Sequence, residues 1–237
     1  GPQAIRGGDY LPHDGERPHL ALRTDGLKDL KVFDAGDLLM PGGDLVASLA
    51  VLREATEKIS RAGAIAVVLG GDHSIASADV AGIANHLGHG KVSMVHFDAH
   101  ADTGEDQWGA LVGHGTPMRR LIDEGYVRGD RFLQLGLRGY WPDNKTLEWM
   151  RDQGMRSYEM TEIHHRGLKA VLDESFATLT DGCDGVFLSV DIDVVDPGMA
   201  PGTGTPEPGG MTSRELLEAV RRICLELPVV GIDVVEV

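Results

Sequence analysis

The stretch KVSMVHFDAHAD, residues 91 to 102, is an apolar run that passes directly into a series of ionisable side chains. The run KVSMVHF is typical of a strand buried on both faces, as in a parallel sheet. Asp98, His100 and Asp102 follow at every second position, with His96 in the same phase. Like charges at this spacing repel, and burying them is costly unless a positive partner lies between them. The stretch therefore predicts a parallel sheet with a cation-binding edge.

Short apolar runs like this one recur along the chain and alternate with longer amphipathic segments. The predicted strands are 31–33, 64–70, 91–97, 131–137, 185–192 and 228–237. The predicted helices are 44–62, 74–88, 116–125, 144–154, 166–179 and 212–227. The last helix begins with Thr212 and has Glu215 three positions later, which is a capping-box pattern. The alternation predicts an α/β fold, a three-layer, doubly wound, mostly parallel sheet with helices on both faces.

Composition restricts the class of protein. A chain of 237 residues with 42% hydrophobic content can bury a full core in one large domain. The net charge of -15 argues against a nucleic-acid partner and is compatible with a cationic substrate. No run approaches the roughly 20 apolar residues of a membrane helix, and no signal peptide is visible, so we expect a cytoplasmic protein. Cys183 and Cys224 predict reduced core thiols rather than a disulfide.

Both ends of the chain have the character of internal sequence. It opens on GPQAIR, a helix-like start without a lead-in, and it stops on the strand-like run PVVGIDVVEV. Since a domain rarely ends on a core strand, we expect residues 1–237 to be a single domain that is truncated at both ends.

Ionisable residues follow several of the predicted strands at the point where each strand ends. GGDHS (70–74) follows one run, DAHAD (98–102) the next, DID (191–193) closes a third, and Glu236 closes the last. In a doubly wound sheet, ligands bind outside the carboxyl ends of the strands. Three strand ends thus deliver to one edge the side chains of His73, Asp98, His100, Asp102, Asp191 and Asp193.

This set of four carboxylates and two imidazoles is too large for one zinc ion, which takes four ligands in structural sites. Mixed oxygen and nitrogen ligands suit Mn²⁺ or a similar divalent ion. Two divalent ions would balance four ionised aspartates, and a metal pair lowers the pKa of water. The predicted chemistry is metal-assisted hydrolysis. His96 lies deeper in its strand, and we expect it to belong to the core or to support a ligand.

Three segments together resemble the signatures of the ureohydrolase family of arginases, agmatinases and guanidinobutyrases. They are GGDHS (70–74), DAHAD (98–102) and SVDIDVVDPGMAPGTGTPEPGG (189–210). The resemblance implies an arginase-like fold with two Mn²⁺ ions per chain, bridged by Asp98 and Asp191. It implies that His73 and Asp102 complete the ligands of one ion. His100 and Asp193 would complete those of the other.

The resemblance also implies catalytic roles. Asp102 would orient a hydroxide that attacks the guanidinium carbon, and the products would be urea and an amine. Glu207, in GTPEPGG, matches the family's guanidinium-binding glutamate, and a carboxylate can take a planar guanidinium through two parallel hydrogen bonds. His114, in GHGTP, matches a histidine that shuttles protons. Because relatives are trimers or hexamers, a homo-oligomer is expected.

The residues after DAHAD bear on the substrate. Arginases place polar groups here, including an asparagine just after the aspartate, whereas this chain has Gly104 and then Trp108, Ala110 and Leu111. The absence of a clamp for an α-carboxylate favours agmatine over arginine. The segment GLRGY (136–140) is also similar to agmatinases.

Other substrates of the family stay open. Guanidinobutyrate and guanidinopropionate carry a carboxylate, for which Arg119, Arg120 and Arg138 are candidate partners. Proclavaminate amidinohydrolase activity is a further alternative. A deacetylase on the same architecture is less favoured, since the loop with Glu207 is intact. A non-catalytic relative is less favoured because all six predicted ligands are present.

Overall fold

In the computed structural model, which describes residues 1–8 and 17–237, six parallel strands form a single sheet. The strand order is β1-β6-β5-β2-β3-β4, and every neighbouring pair is parallel. The strands are β1 (Ala66–Leu69), β2 (Val92–Phe97), β3 (Val127–Leu137), β4 (Arg156–Glu159), β5 (Gly185–Asp191) and β6 (Val229–Val235).

Three helices of the described residues precede β1, and the later ones connect the strands. They are α1 (Pro2–Gly7), α2 (Gly26–Asp29), α3 (Leu45–Arg61), α4 (Ala76–Leu87), α5 (Pro117–Asp123), α6 (Asn144–Asp152), α7 (Met160–Arg166), α8 (Leu168–Thr180) and α9 (Ser213–Glu226). The predicted capping box is present, with Thr212 and Glu215 bonded reciprocally at the start of α9. Short 3-10 turns at His73–Ile75 and Ile192–Val194 follow β1 and β5.

Two apolar cores cover opposite faces of the sheet. Met94, Phe132 and Phe187 pack with α4 and α5 on one face. Alternate residues of the same strands, such as Val95 and Leu188, pack with α7, α8 and α9 on the other. This alternation is the period of two expected of strands buried on both sides. The predicted three-layer, doubly wound fold is confirmed.

The strand order creates a switch point between β2 and β5. The chain proceeds outward from β2 through β3 to β4, and then returns to place β5 and β6 on the other side of β2. The connections after β2 and β5 therefore leave toward opposite faces, through α5 and α9. A crevice opens at such a point outside the carboxyl ends of the strands. DAHAD follows β2, and Asp191 ends β5, so both reach this crevice.

Some predicted elements are wrong. Residues 31–33 form no strand, and Val32 and Phe33 are exposed, because two apolar residues between charged neighbours bury too little surface to join the sheet. The edge strand β4 was not predicted, since Tyr158 is its only buried residue and its polar sequence gives no apolar signal. The predicted helix 166–179 corresponds to α8, whereas α7 was not predicted, and Gly167 with φ +80° separates the two.

Both cysteines are free, as predicted, but neither lies in the core. Cys183 is half-buried and Cys224 is exposed on α9. Within the described parts of the chain, none of the helices combines the length and apolar character that crossing a bilayer requires.

Candidate metal centre

The structure brings all six predicted ligands together at the crevice. His73 opens the 3-10 turn that follows β1, where Asp72 caps the turn by accepting a hydrogen bond from the Ser74 N–H. The DAHAD residues leave the end of β2. Asp191 ends β5 and its carboxylate accepts from the Asp193 N–H, which turns the chain sharply at this point. Strand ends and tight turns thus position the side chains.

His73 lies at the inner end of the cluster. Its Nδ1 atom is 3.2 Å from Asp98 Oδ2, 3.0 Å from Asp102 Oδ2 and 3.1 Å from Asp191 Oδ2. This nitrogen is buried, and none of these nearby oxygens has the geometry of a hydrogen bond with it. Ligand atoms bound at right angles about 2.1 Å from one metal ion are roughly 3.0 Å apart. The spacing and the unpartnered nitrogen fit a divalent ion among these four groups.

A second group lies beside it. His100 Nδ1 is 3.0 Å from Asp193 Oδ2 and 3.5 Å from Asp98 Oδ1. Asp98 therefore turns one oxygen toward His73 and the other toward His100, as a carboxylate between two ions does. The donor set contains only oxygen and imidazole nitrogen, which fits Mn²⁺ and similar hard ions.

Electrostatics show how strongly these groups interact without an ion. Burial and the nearby Asp98 carboxylate raise the pKa of Asp102, and the same causes raise the pKa of Asp191 well above its usual range. Burial disfavours a charged imidazole, but contacts with Asp193 and Asp98 outweigh it and raise the pKa of His100 to about 11. Protons therefore offset the carboxylate repulsion when no metal does.

His96, which lies deeper in its strand, hydrogen-bonds to Asp98. Its Nδ1 accepts from the Gln134 amide, because the Gln134 oxygen is taken by the Ser157 hydroxyl. The proton of His96 is therefore on Nε2, which donates to Asp98 Oδ2 at 2.8 Å. Although His96 is close enough to the cluster to count among its possible ligands, this hydrogen bond assigns it to holding Asp98.

A polar row crosses the sheet directly below the ligands. In register across β6, β5, β2, β3 and β4 are the residues Asp233, Ser189, His96, Gln134 and Ser157. The first four are fully buried. This row interrupts otherwise apolar strands, and its side chains hydrogen-bond toward the metal centre.

His114 and Glu207 lie at two other places around the crevice. The imidazole of His114 is about half exposed, 3.4 Å from Asp72 Oδ2 and 2.8 Å from the Gln107 amide. Glu207 is half-buried, and its carboxylate lies against Gly139, where an added Cβ would come within 2.8 Å of it. Neither side chain forms a hydrogen bond or an ion pair with the six predicted ligands.

Glu236 is a further carboxylate at the centre, and the sequence reading gave it no role. Its Oε1 accepts from the His73 backbone N–H at 2.7 Å, and its backbone has φ +57°. Burial and the nearby Asp72 raise its pKa. It lines an open cleft of about 430 Å³ with Asp72 and the loop 201–204. In the sequence, its position at the end of the last predicted strand was the signal for a functional role.

Carboxylates and imidazoles gathered at the switch point of a parallel α/β sheet are typical of metal-dependent hydrolases. The chain belongs to the arginase family, whose sequence model matches residues 1–237. The predicted class, a hydrolase of guanidino compounds, is confirmed at the level of this family.

Two relatives and a solved structure illustrate the match. The chain is 35% identical to the guanidinobutyrase of Pseudomonas aeruginosa, covering all of this chain and 72% of that protein. It is 38% identical to the mitochondrial agmatinase of Gallus gallus, covering all of this chain and 67% of that protein. The formimidoylglutamase structure from Bacillus subtilis superposes with a TM-score of 0.91 at 30% identity, covering all of this chain and 72% of that one.

Proposed function

We propose that this protein is a binuclear manganese-dependent amidinohydrolase that cleaves agmatine to urea and a diamine. The observation that carries the proposal is the buried, unpartnered Nδ1 of His73, which faces three carboxylate oxygens at 3.0–3.2 Å. A site of this kind has no stable arrangement of neutral hydrogen bonds, whereas a divalent ion satisfies all four groups.

We assign two ion positions, which the contacts of His73 and His100 support, whereas the place of Asp191 at the outer position rests on the family motif. The inner position would be held by His73, Asp98, Asp102 and Asp191. The outer position would be held by His100, Asp98, Asp191 and Asp193. When bound, such a pair makes water nucleophilic near neutral pH. The two oxygens of Asp98, each facing a different imidazole, support its role between the two positions.

Asp102 and His114 are assigned the proton-handling roles. Among the four inner ligands, the side chain of Asp102 is the most accessible, at 10% exposure, so it can hydrogen-bond the nucleophile at the open side of the centre. His114 is exposed beside Asp72, which lines the cleft, and an imidazole there can deliver a proton to the departing amine.

Two carboxylates compete for the guanidinium of the substrate. Glu207 is the residue indicated by the sequence motif. Glu236 is the residue that lines the cleft and touches the backbone of His73. Either can form a charge-assisted pair with a planar guanidinium and fix its orientation. Matched Glu→Gln variants at the two positions distinguish them.

The surroundings of the centre favour a cationic substrate tail. Asp72 and Glu236 place negative charge at the cleft. The three arginines considered as partners for a substrate carboxylate are engaged elsewhere. Arg119 and Arg120 pair with Asp123, and Arg138 donates to backbone carbonyls.

An arginine substrate is disfavoured at one position in particular. An added Cβ at Gly104 would lie 2.9 Å from the carbonyl oxygen of Gly115, so no side chain fits there without a shift. The position at which arginases carry an asparagine is closed in this fold.

Guanidinobutyrate hydrolysis is the second candidate. The observation that favours it is the similarity to the Pseudomonas aeruginosa guanidinobutyrase over the whole chain. Guanidinopropionate and proclavaminate are the alternatives within the same chemistry. All of these substrates share the guanidinium and differ in the tail, which a separate group on the enzyme must recognise.

The test is urea release from a panel of agmatine, 4-guanidinobutyrate, 3-guanidinopropionate and arginine, with manganese-loaded protein and a chelated control. We expect the highest kcat/KM for agmatine. Preference for guanidinobutyrate would support the second candidate. No urea from any of the four, with two ions bound, would contradict both candidates and leave proclavaminate hydrolysis, a deacetylase or a silent relative.

Assembly and location are also proposed. We infer a homo-oligomer, a trimer or hexamer, and a cytoplasmic protein without nucleic-acid or membrane partners. The net charge of -15 supports the lack of a nucleic-acid partner. Light scattering on the purified protein would measure the subunit number, and a monomeric mass would contradict the oligomer.

A further inference from the structure

Behind the metal centre, a buried chain of hydrogen bonds leads from His73 away from the crevice. His73 Nε2 lies 2.9 Å from Ser189 Oγ, and the Ser189 hydroxyl donates to Asp233 Oδ1 at 2.7 Å. Asp233 and Ser189 are in register on adjacent strands, in the polar row below the ligands. All three side chains are buried, so bulk water does not compete for these hydrogen bonds.

The direction of these bonds fixes the proton of the imidazole. Asp233 Oδ1 also accepts from the Val190 backbone N–H, which identifies it as an unprotonated oxygen. The single proton of the Ser189 hydroxyl is then directed to Asp233. The Ser189 oxygen can only accept from His73 Nε2, so in a neutral imidazole the proton is on Nε2 and the lone pair on Nδ1.

Asp79, on α4, completes the chain from the helix side. It is fully buried, and its Oδ1 accepts from the Val80 N–H. The second oxygens of Asp79 and Asp233 both lack a donor. Burial and the proximity of Asp233 raise the pKa of Asp79 well above its usual range. One proton held between the two carboxyl groups would supply the missing donor and leave Asp233 able to accept from Ser189.

We propose that Ser189, held in turn by Asp233 and Asp79, is a positioning residue that fixes the ring of His73 and presents its Nδ1 lone pair to the inner ion. Nothing in the DAHAD or DID motifs identifies this role, because Ser189 and Asp233 lie inside buried strands. Partners of this kind change metal affinity by roughly ten- to a hundredfold when they are removed. The inference rests on the metal centre of the proposed function.

The experiment is a manganese titration of metal-free protein, by calorimetry and by electron paramagnetic resonance. For Ser189→Ala we expect about a ten- to hundredfold weaker affinity at the inner position. The outer position should keep its ion, so the spectrum should change from that of a coupled pair to that of an isolated Mn²⁺. Ser189→Thr keeps the hydroxyl and should restore binding.

Ser93→Ala is the matched control. Ser93 is equally buried on β2, at the opposite end of the sheet, where its hydroxyl donates to the Gly185 carbonyl. It should lower the melting temperature of the metal-free protein about as much as Ser189→Ala while leaving both manganese affinities unchanged. A structural role alone would give the two variants the same behaviour in both measurements.

Asp233→Asn provides a second test. The amide oxygen still accepts from Ser189, and the amide N–H can donate to Asp79 in place of the shared proton. We therefore expect a much smaller loss of affinity than for Ser189→Ala. Equal losses would overturn the hydrogen-bond chain, as would two tightly bound ions in Ser189→Ala. A parent protein that binds no manganese would instead overturn the proposed function, and this role with it.

Discussion

The Nδ1 atom of His73 lies 3.2 Å from Oδ2 of Asp98, and each side chain is only 1% exposed. The two residues follow different strands, β1 and β2. The contact exists because the parallel sheet places the carboxyl ends of these strands at the same edge. Burial opposes a charged imidazole, yet the surrounding carboxylates raise the pKa of His73 well above its usual range. These carboxylates therefore favour a proton on His73 at the place that a divalent ion would take.

Replacing Asp98 should remove both ions. We expect Asp98→Ala to abolish urea production and to lower the manganese content from about two ions per chain to below one, since this carboxylate faces both imidazoles. Metal analysis and a urea assay measure the two effects. Asp184→Asn, at the exposed opposite end of β5, is the charge control and should keep both. Wild-type turnover in the Asp98 variant would exclude the bridging role.

Metal removal should destabilise the fold. Ions that bind only the native state stabilise it by mass action, by about 4 kcal/mol at a thousandfold excess over Kd. Chelation should therefore lower the melting temperature by several degrees, and re-added manganese should restore it. Differential scanning fluorimetry with verified metal content measures this. An unchanged melting temperature after complete removal would argue against a closely packed centre.

Manganese affinity should rise with pH. With contacts to Asp193 and Asp98 raising the pKa of His100 to about 11, its imidazole is protonated in metal-free protein at neutral pH. An ion must displace that proton, so the affinity should increase by roughly tenfold per pH unit for each proton released. Calorimetry in buffers of different ionisation enthalpy counts the protons. Affinity that does not change between neutral and moderately alkaline pH would contradict the displacement.

Glu207→Gln and Glu236→Gln should separate substrate binding from metal binding. Substitution of the residue that pairs with the guanidinium should remove about 1.5–3 kcal/mol of transition-state stabilisation. This corresponds to a roughly ten- to hundredfold lower kcat/KM. Glu207→Gln should leave the manganese content unchanged, because the Glu207 side chain forms no hydrogen bond or ion pair with the six predicted ligands. Agmatine and guanidinobutyrate should be affected alike, since they share the guanidinium. If Glu207→Gln keeps parental kcat/KM while Glu236→Gln loses it, Glu236 takes the role.

Gly104→Asn should destabilise the protein rather than create an arginase. The new Cβ would meet the Gly115 carbonyl at 2.9 Å, and overpacking of this kind costs about 1–3 kcal/mol. Gly42→Ala is the control, because nothing lies within 4 Å of its added Cβ. Chemical denaturation measures both variants. Parental stability together with new arginine hydrolysis would show that the loop accommodates the side chain.

The sequence by itself determined the local features of this protein. Apolar runs, helix periodicity and the capping box at Thr212 depend on neighbouring residues, so the α/β alternation was predictable. The motifs at the strand ends were predictable for the same reason, together with the rule that parallel strands deliver their ends to one edge. The ligand assignments remain predictions, although the structure brings the six side chains together. Local signals failed where burial is partial, as in the polar edge strand β4.

Only the tertiary structure decided what lies beneath and beside the ligands. Gln134 lies within an apolar run, yet strand register places it against His96, which holds Asp98. Ser189 and Asp233 become partners because β5 and β6 are adjacent. Glu236 lies beside the candidate metal centre because its carboxylate accepts a hydrogen bond from the backbone N–H of His73. These contacts join residues that are far apart in the chain. They depend on strand order and register, which are set by burying the apolar faces of the whole sheet. No local sequence pattern encodes that choice.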